Sequence, residues 1–112
     1  MHEFSLAMEV VQLAEKEAVK NNAQVIKEIE IEVGYLSGVE ADAFKSALEL
    51  LQKDSMLSDA KIHMLQTPGK AYCGSCQTEF EMKQRTDSCP QCTIFPSKIT
   101  GGEEFRVLSI LI

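Results

Sequence analysis

Cys73-Gly74-Ser75-Cys76, followed after twelve residues by Cys89-Pro90-Gln91-Cys92, is the stretch that decides how this chain is organised. These are its only cysteines, and they form two C-x-x-C turns. Each turn is tight enough for both sulfurs to reach one ion, and Gly74 suits the bend. Two such turns brought together make a tetrahedral site of four sulfurs at roughly 2.3 Å per bond, the pattern of structural zinc. Four thiolates also close the coordination sphere, so no position is left for a substrate or a reactive water. Disulfides are disfavoured where thiols are kept reduced. A redox pair needs only one C-x-x-C, and two in register argue against it. Iron in a rubredoxin-like site uses the same ligands, and spacing does not separate the two metals. Between the turns the main apolar side chains are Phe80 and Met82, so bound zinc adds folding free energy to a segment of about 25 residues with little core of its own.

Upstream of this segment, Thr67-Pro68-Gly69 interrupts a run, Ala60 to Gln66, in which Ala60, Ile62 and Met64 alternate with Lys61 and His63. That alternation predicts a strand. Further back, Phe44, Ala47, Leu48 and Leu51 recur at helical spacing, and the helix stops near Lys53-Asp54-Ser55. Ser37-Gly38-Val39-Glu40 before it reads as a capping box. Lys27-Glu28-Ile29-Glu30-Ile31-Glu32-Val33 alternates strictly, predicting a half-buried strand with glutamates on a solvated face. Residues 5–20 place Leu6, Val10, Leu13 and Ala14 on one helical stripe, and Asn21-Asn22 ends it. Downstream, Ser97–Thr100 and Glu103–Ile112 flank Gly101-Gly102, a two-residue hairpin signal. The apolar run Phe105 to Ile112 predicts a last strand that returns to the body.

The expected architecture is therefore α+β: two helices packed on a small mixed sheet, with an inserted four-cysteine, zinc-ribbon-like unit. Residues 1–69 with 103–112 make up the α/β part, and 70–102 the zinc-binding part.

Composition agrees with a small globular protein: 112 residues, 45% hydrophobic and 25% charged, without tryptophan. The net charge of −6 resides in residues 1–69, which carry 12 acidic and 6 basic side chains. No part offers the basic surface that nucleic acid needs, and Lys83 and Arg85 are too few between the knuckles to supply it. The start lacks the basic residues and unbroken apolar run of a signal peptide, and no stretch approaches the ~20 apolar residues of a membrane span. The expectation is a cytoplasmic protein with no membrane or nucleic-acid partner. An enzyme is disfavoured too, since there is no open metal position, no nucleophile paired with a base and no phosphate-binding glycine loop.

The chain has two histidines, His2 and His63. His63 sits on the polar side of its strand and is assigned no role. The amine of Met1, the amide nitrogen of His2 and the His2 imidazole can form fused chelate rings around one ion. Square-planar nitrogen coordination of this kind suits Ni²⁺ or Cu²⁺, with the next amide or the Glu3 carboxylate as a fourth ligand. The plain alternative is a surface histidine. For Glu40 the alternatives are a metal carboxylate and the capping partner of Ser37.

Met1-His2-Glu3-Phe4-Ser5 resembles the opening of the HypA/HybF family of hydrogenase maturation factors. Gly34-Tyr35-Leu36-Ser37-Gly38-Val39-Glu40 is similar to that family's segment between first strand and second helix, and Phe44 and Ala47 continue it. The paired knuckles fall at the family's place, and Gly101-Gly102-Glu103-Glu104-Phe105-Arg106-Val107 resembles its closing hairpin. The resemblance runs through the whole chain in order. It implies a nickel metallochaperone for [NiFe]-hydrogenase maturation, working with the GTPase HypB and the hydrogenase large subunit, and in some organisms serving urease as well. It implies a nickel-binding α/β domain and a zinc-binding domain. By position, His2 carries over as principal nickel ligand with Glu3 beside it, and the four cysteines as zinc ligands. Ni²⁺ is then cargo and Zn²⁺ structural. The rival reading is a zinc-ribbon protein-interaction adaptor with no nickel role, in which residue 2 is dispensable. Oligomeric state is left between monomer and weak, edge-paired dimer.

Overall fold

The computed structural model describes residues 3–112. Its elements run α1 (Glu3–Lys20), β1 (Glu28–Gly34), α2 (Ala41–Gln52), β2 (Lys61–Thr67), β3 (Gly69–Cys73), β4 (Thr78–Met82), β5 (Lys98–Gly101) and β6 (Phe105–Leu111). They form two three-stranded sheets, ordered β2-β1-β6 and β4-β3-β5.

The first sheet is mixed, because β1 pairs parallel with β2 and antiparallel with β6. Alternation in β1 decides what it buries. Ile29, Ile31 and Val33 point to the same face and are almost wholly buried, where they meet Ala7, Val10, Val11, Ala14 and Ala18 of α1 and Phe44, Ala47 and Leu48 of α2. Small alanines on α1 let that helix lie close to the sheet. Phe105 closes the core from β6, its ring edge-on to Phe44 at 5.0 Å between centroids.

The glutamate face of β1 is not uniformly solvated, as the alternation alone predicts. Glu32 is buried, and its Oε1 accepts from Arg106 Nε of β6 at 2.6 Å. Glu28 meets His63 of β2 at 2.6 Å, and Glu30 remains exposed. The physical reason is that β1 is the central strand, so neighbours on both sides cover and answer its outward side chains.

The second sheet has its own small core of Leu36, Ala71 and Met82, with Phe80 and Ile99 packed against it. Leu36 reaches this core from the segment after β1, so the two sheets share a seam. Gly101-Gly102 lies in that seam and is not a hairpin. β5 pairs with β3, whereas β6 pairs with β1, so the flanking strands belong to different sheets. Gly102 adopts φ +85, its carbonyl accepts from Leu36 N at 2.7 Å, and a Cβ there would meet Gly69 Cα at 2.4 Å. Only glycine fits that backbone and that approach. The last strand nevertheless returns to the first sheet, as its apolar pattern predicts.

The start of α2 also differs from expectation. Its N-cap is Glu40, whose carboxylate accepts from Asp42 N and Ala43 N, and the helix begins at Ala41. Ser37 instead accepts from Val39 N within a turn that Gly38 closes at φ +83. Ser37 is therefore not the cap and Glu40 is not its partner, because the serine hydroxyl is engaged in a turn three residues before the N-cap. Among the described residues, no helix is long and apolar enough to cross a membrane.

Candidate metal centre

The second sheet places the first pair of cysteines on the turn from β3 to β4. Cys73 ends β3, Gln77 takes φ +54 to complete the turn, and β4 starts at Thr78. Ser97 accepts from Gly74 N at 3.1 Å and donates its own amide to Tyr72 O at 3.0 Å. The strand leading into β5 is thereby tied to the first knuckle. The second knuckle repeats the same device without a sheet: Thr93 turns at φ +61, Thr93 N donates to Cys89 O at 2.8 Å, and Cys89 N to Ile94 O at 2.9 Å.

These two turns bring Cys73, Cys76, Cys89 and Cys92 together, all four sulfurs lying within 4.8 Å of one another. Cys73 Sγ and Cys92 Sγ are 3.4 Å apart, and Cys76 Sγ and Cys89 Sγ 3.9 Å. A tetrahedron with bonds of roughly 2.3 Å has edges of about 3.8 Å, so the donor set suits one zinc ion. Cys73 and Cys89 are buried and the other two half-buried, which excludes most solvent from the cluster. Cys76 N also points at Cys73 Sγ, at 3.5 Å.

The protons on these sulfurs are unevenly held. The Cys92 sulfur beside Cys76, with burial and the remaining sulfurs, pushes the Cys76 thiol up to about 12. Backbone amides of Cys92 and Gln91 bring Cys89 down to about 7. At Cys92 the Ile94 amide acts to lower the value, but the Cys73 sulfur and burial outweigh it and the net direction is up. Four sulfurs this close resist becoming anionic together without a cation among them, which a divalent ion supplies. No position remains free for a fifth, reacting group.

The second group of candidate residues lies at the other end of the chain. Met1 and His2, expected to supply nickel nitrogens, lie outside the described residues. Glu3 opens α1, and its Oε2 accepts from Glu40 N at 3.1 Å. The Glu3 carboxylate thus meets the backbone of Glu40, 37 residues on, where both helices begin. Glu40 caps α2 with the same side chain, its Oε2 2.6 Å from Ala43 N and its Oε1 a longer 3.4 Å from Asp42 N. Beside Glu40 is a cleft of roughly 310 Å³ at the junction of the sheets, walled by Val33, Tyr35, Gln66 and Lys83.

Sequence reasoning missed the residue that spans this junction. Arg85, between the knuckles, donates through Nη2 to Leu36 O at 2.7 Å and to Glu103 Oε2 at 2.9 Å. Nothing local signals that role, since its partners lie 49 residues before it and 18 after. His63 is exposed, and its Nε2 lies 2.6 Å from Glu28 Oε1.

Comparison with known proteins fits this arrangement. The family model described as hydrogenase/urease nickel incorporation, metallochaperone, HypA matches residues 1–112. The hydrogenase maturation factor HypA of Parabacteroides distasonis is 40% identical over 112 residues, covering 100% of this chain and 97% of the relative. That of Azotobacter chroococcum is 34% identical over 107 residues, covering 96% and 95%. Among solved structures, the Ni metallochaperone HypA from Helicobacter pylori superposes with a TM-score of 0.67 at 28% identity, covering 100% of this chain and 97% of that one. With two helices on a mixed sheet, a four-sulfur cluster and a whole-length match, the chain belongs to the HypA family of nickel-incorporation metallochaperones.

Proposed function

We propose that this family member carries Ni²⁺ as cargo at its N-terminus and hands it on during [NiFe]-hydrogenase maturation. The ligands in this reading are the Met1 amine, the backbone amide and imidazole of His2, and Glu3, with Glu40 as an auxiliary carboxylate. The observation that carries it is that the carboxylate of Glu3, the residue after His2 in the sequence, accepts from the Glu40 backbone amide, so the start of α1 meets the start of α2. A hard carboxylate beside nitrogen donors suits Ni²⁺ better than the soft sulfur site does. A ligand set built on a chain end exchanges metal more readily than a closed cage, which delivery requires.

In the same reading Cys73, Cys76, Cys89 and Cys92 hold structural zinc, residues 70–102 form the zinc-binding domain, and residues 1–69 with 103–112 the nickel-binding domain. The chain acts in the cytoplasm and catalyses no reaction itself. Its partners are a HypB-type GTPase and the hydrogenase large subunit. Zinc supplies cross-linking of two knuckles, and Arg85 extends that order to Leu36, four residues before Glu40. A zinc-ribbon adaptor without nickel is not favoured, since the whole chain and not only the knuckles matches a nickel-incorporation family.

The test is a nickel titration of zinc-loaded protein with its native, untagged N-terminus, run beside His2→Ala. One strong site in the parent, lost in the variant while zinc stays bound, is the expected result. Equal binding in both removes the terminal site. Acidification tests the same ligands: imidazole and amide nitrogens bind metal only when unprotonated, so nickel affinity falls as pH falls and nickel leaves well before zinc. Nickel affinity that holds constant from neutral to mildly acidic pH contradicts amide ligation.

A further inference from the structure

We propose that the cleft beside Glu40, at the junction of the two sheets, is a binding site for a small carboxylate ligand. Its volume of roughly 310 Å³ is at the lower end for small-molecule sites, with room for an acid of about one or two amino-acid residues. Val33, Val39 and Ala41 give it an apolar wall, and Gln66, Lys83 and Gln84 line it with polar side chains. The wall comes from the first sheet and the start of α2, whereas Lys83 and Gln84 come from the segment after β4. A ligand seated there touches both halves of the molecule.

The segment that carries Lys83 and Gln84 is held in place over the cleft. Asp87 Oδ2 accepts from Lys83 N at 2.8 Å and from Gln84 N at 3.2 Å, and Arg85 Nη2 donates to Leu36 O and Glu103 Oε2. What the cleft offers a ligand follows from which of its polar groups are already used. The Asp87 carboxylate is occupied by those two amides, and the Glu40 carboxylate by Asp42 N and Ala43 N. Gln84 Oε1 accepts from Thr86 Oγ1 at 3.4 Å. The donors are left over. Among the described residues the Lys83 ammonium has no ion pair, and the side-chain amides of Gln66 and Gln84 donate to no acceptor. A surplus of donors around one unpaired cation selects an anionic acceptor, and a carboxylate supplies two oxygens to them. An amine or a metal cation would meet Lys83 as a like charge. A phosphate group carries about two charges, more than one lysine answers, with Glu40 close by as a like charge. A monoanion with a short apolar body fits both the charge and the wall.

The cleft also borders the proposed nickel ligands, because Glu40 forms part of its wall. On the reading that nickel sits at the terminus, a carboxylate held by Lys83 lies next to the cargo. A small acid that accompanies the metal and the free chain end of a receiving protein both carry that group. The cleft itself is independent of the nickel reading, since none of its donors is a nickel ligand.

The test titrates zinc-loaded, nickel-free protein with acetyl-alanyl-alanine while backbone and glutamine amide NMR signals are followed. Expected are saturable shifts clustered at Val39, Ala41, Gln66 and Gln84, with binding that weakens as salt is added. The same dipeptide ending in a carboxamide produces none of them. Lys83→Met weakens binding at least about tenfold, whereas Lys98→Met leaves it unchanged. Both lysines are exposed, so the folds survive, as unchanged zinc content would verify. An acetylated hexapeptide with the same free end separates the sources: binding equal to the dipeptide's identifies a chain end, and none identifies a small free acid. Shifts that never saturate, a carboxamide that binds as well as the acid, or a Lys83→Met variant that binds like the parent each overturn the proposal. His2→Ala binds the acid as the parent does, so loss of the terminal nickel site and loss of the cleft are read separately.

Discussion

Glu40 illustrates how much one side chain settles. Its carboxylate ends the exposed amides of α2, and its own amide is answered by Glu3. Replacing it with alanine removes a cap, an expected cost of about 0.5–2 kcal/mol in urea unfolding. Glu40→Gln keeps an oxygen acceptor and should recover most of that stability; if nickel affinity still falls in Glu40→Gln, the carboxylate serves the metal as well as the helix. Arg106 is the second informative residue. Its removal leaves Glu32, with an 11% exposed side chain, without its partner. Arg106→Met should destabilise by about 1–3 kcal/mol in the same assay, and Glu32→Gln/Arg106→Met should regain part of the loss. At this scale the four-cysteine cluster was legible from spacing, because two turns of fixed length can converge on one point whatever surrounds them. The Glu32 and Glu40 partners were not, since strand alternation and capping motifs say nothing of residues 74 and 37 positions away.

Strands and helices were legible in proportion to their periodicity. α1, β1, β2 and β6 follow plain helical or alternating patterns and lie within two residues of where those patterns put them. β3 and β4 were overlooked as strands, although Thr78-Glu79-Phe80-Glu81-Met82 does alternate, because five-residue strands between knuckles look like loop when the metal turns dominate the reading. These short strands also depend most on the cluster, with a core of only Leu36, Ala71 and Met82. Removing zinc with a chelator should therefore abolish amide-exchange protection in β3, β4 and β5, while β1 and the two helices retain theirs. Uniform loss across both sheets would show instead that the chain folds as one cooperative unit.

Taken as a whole, the molecule is elongated, 54 × 23 × 17 Å, with the two sheets joined at a narrow seam. The seam is made by Gly34, Gly69 and Gly102, by Leu36 crossing into the second core, and by Arg85 on Leu36 O and Glu103. Gly102→Ala adds a methyl 2.4 Å from Gly69 Cα at a φ that side chains avoid, so it should lower the melting temperature by several degrees. Arg85→Met should leave each sheet folded but let them tilt, raising the radius of gyration measured by small-angle scattering above that of the parent. An unchanged scattering curve would place the rigidity in the glycine contacts alone.

By itself the sequence determined the four-sulfur site, the alternating central strand, the two helices and the family, all of which rest on short-range spacing or on residues in linear order. Tertiary structure alone decided that Gly101-Gly102 parts two sheets instead of closing a hairpin, that Glu32 is buried against Arg106, and that Glu3 meets the backbone of Glu40. Each of these depends on which distant strand or helix becomes a neighbour. The burial of many side chains at once selects that neighbour, and no local period of the chain records it.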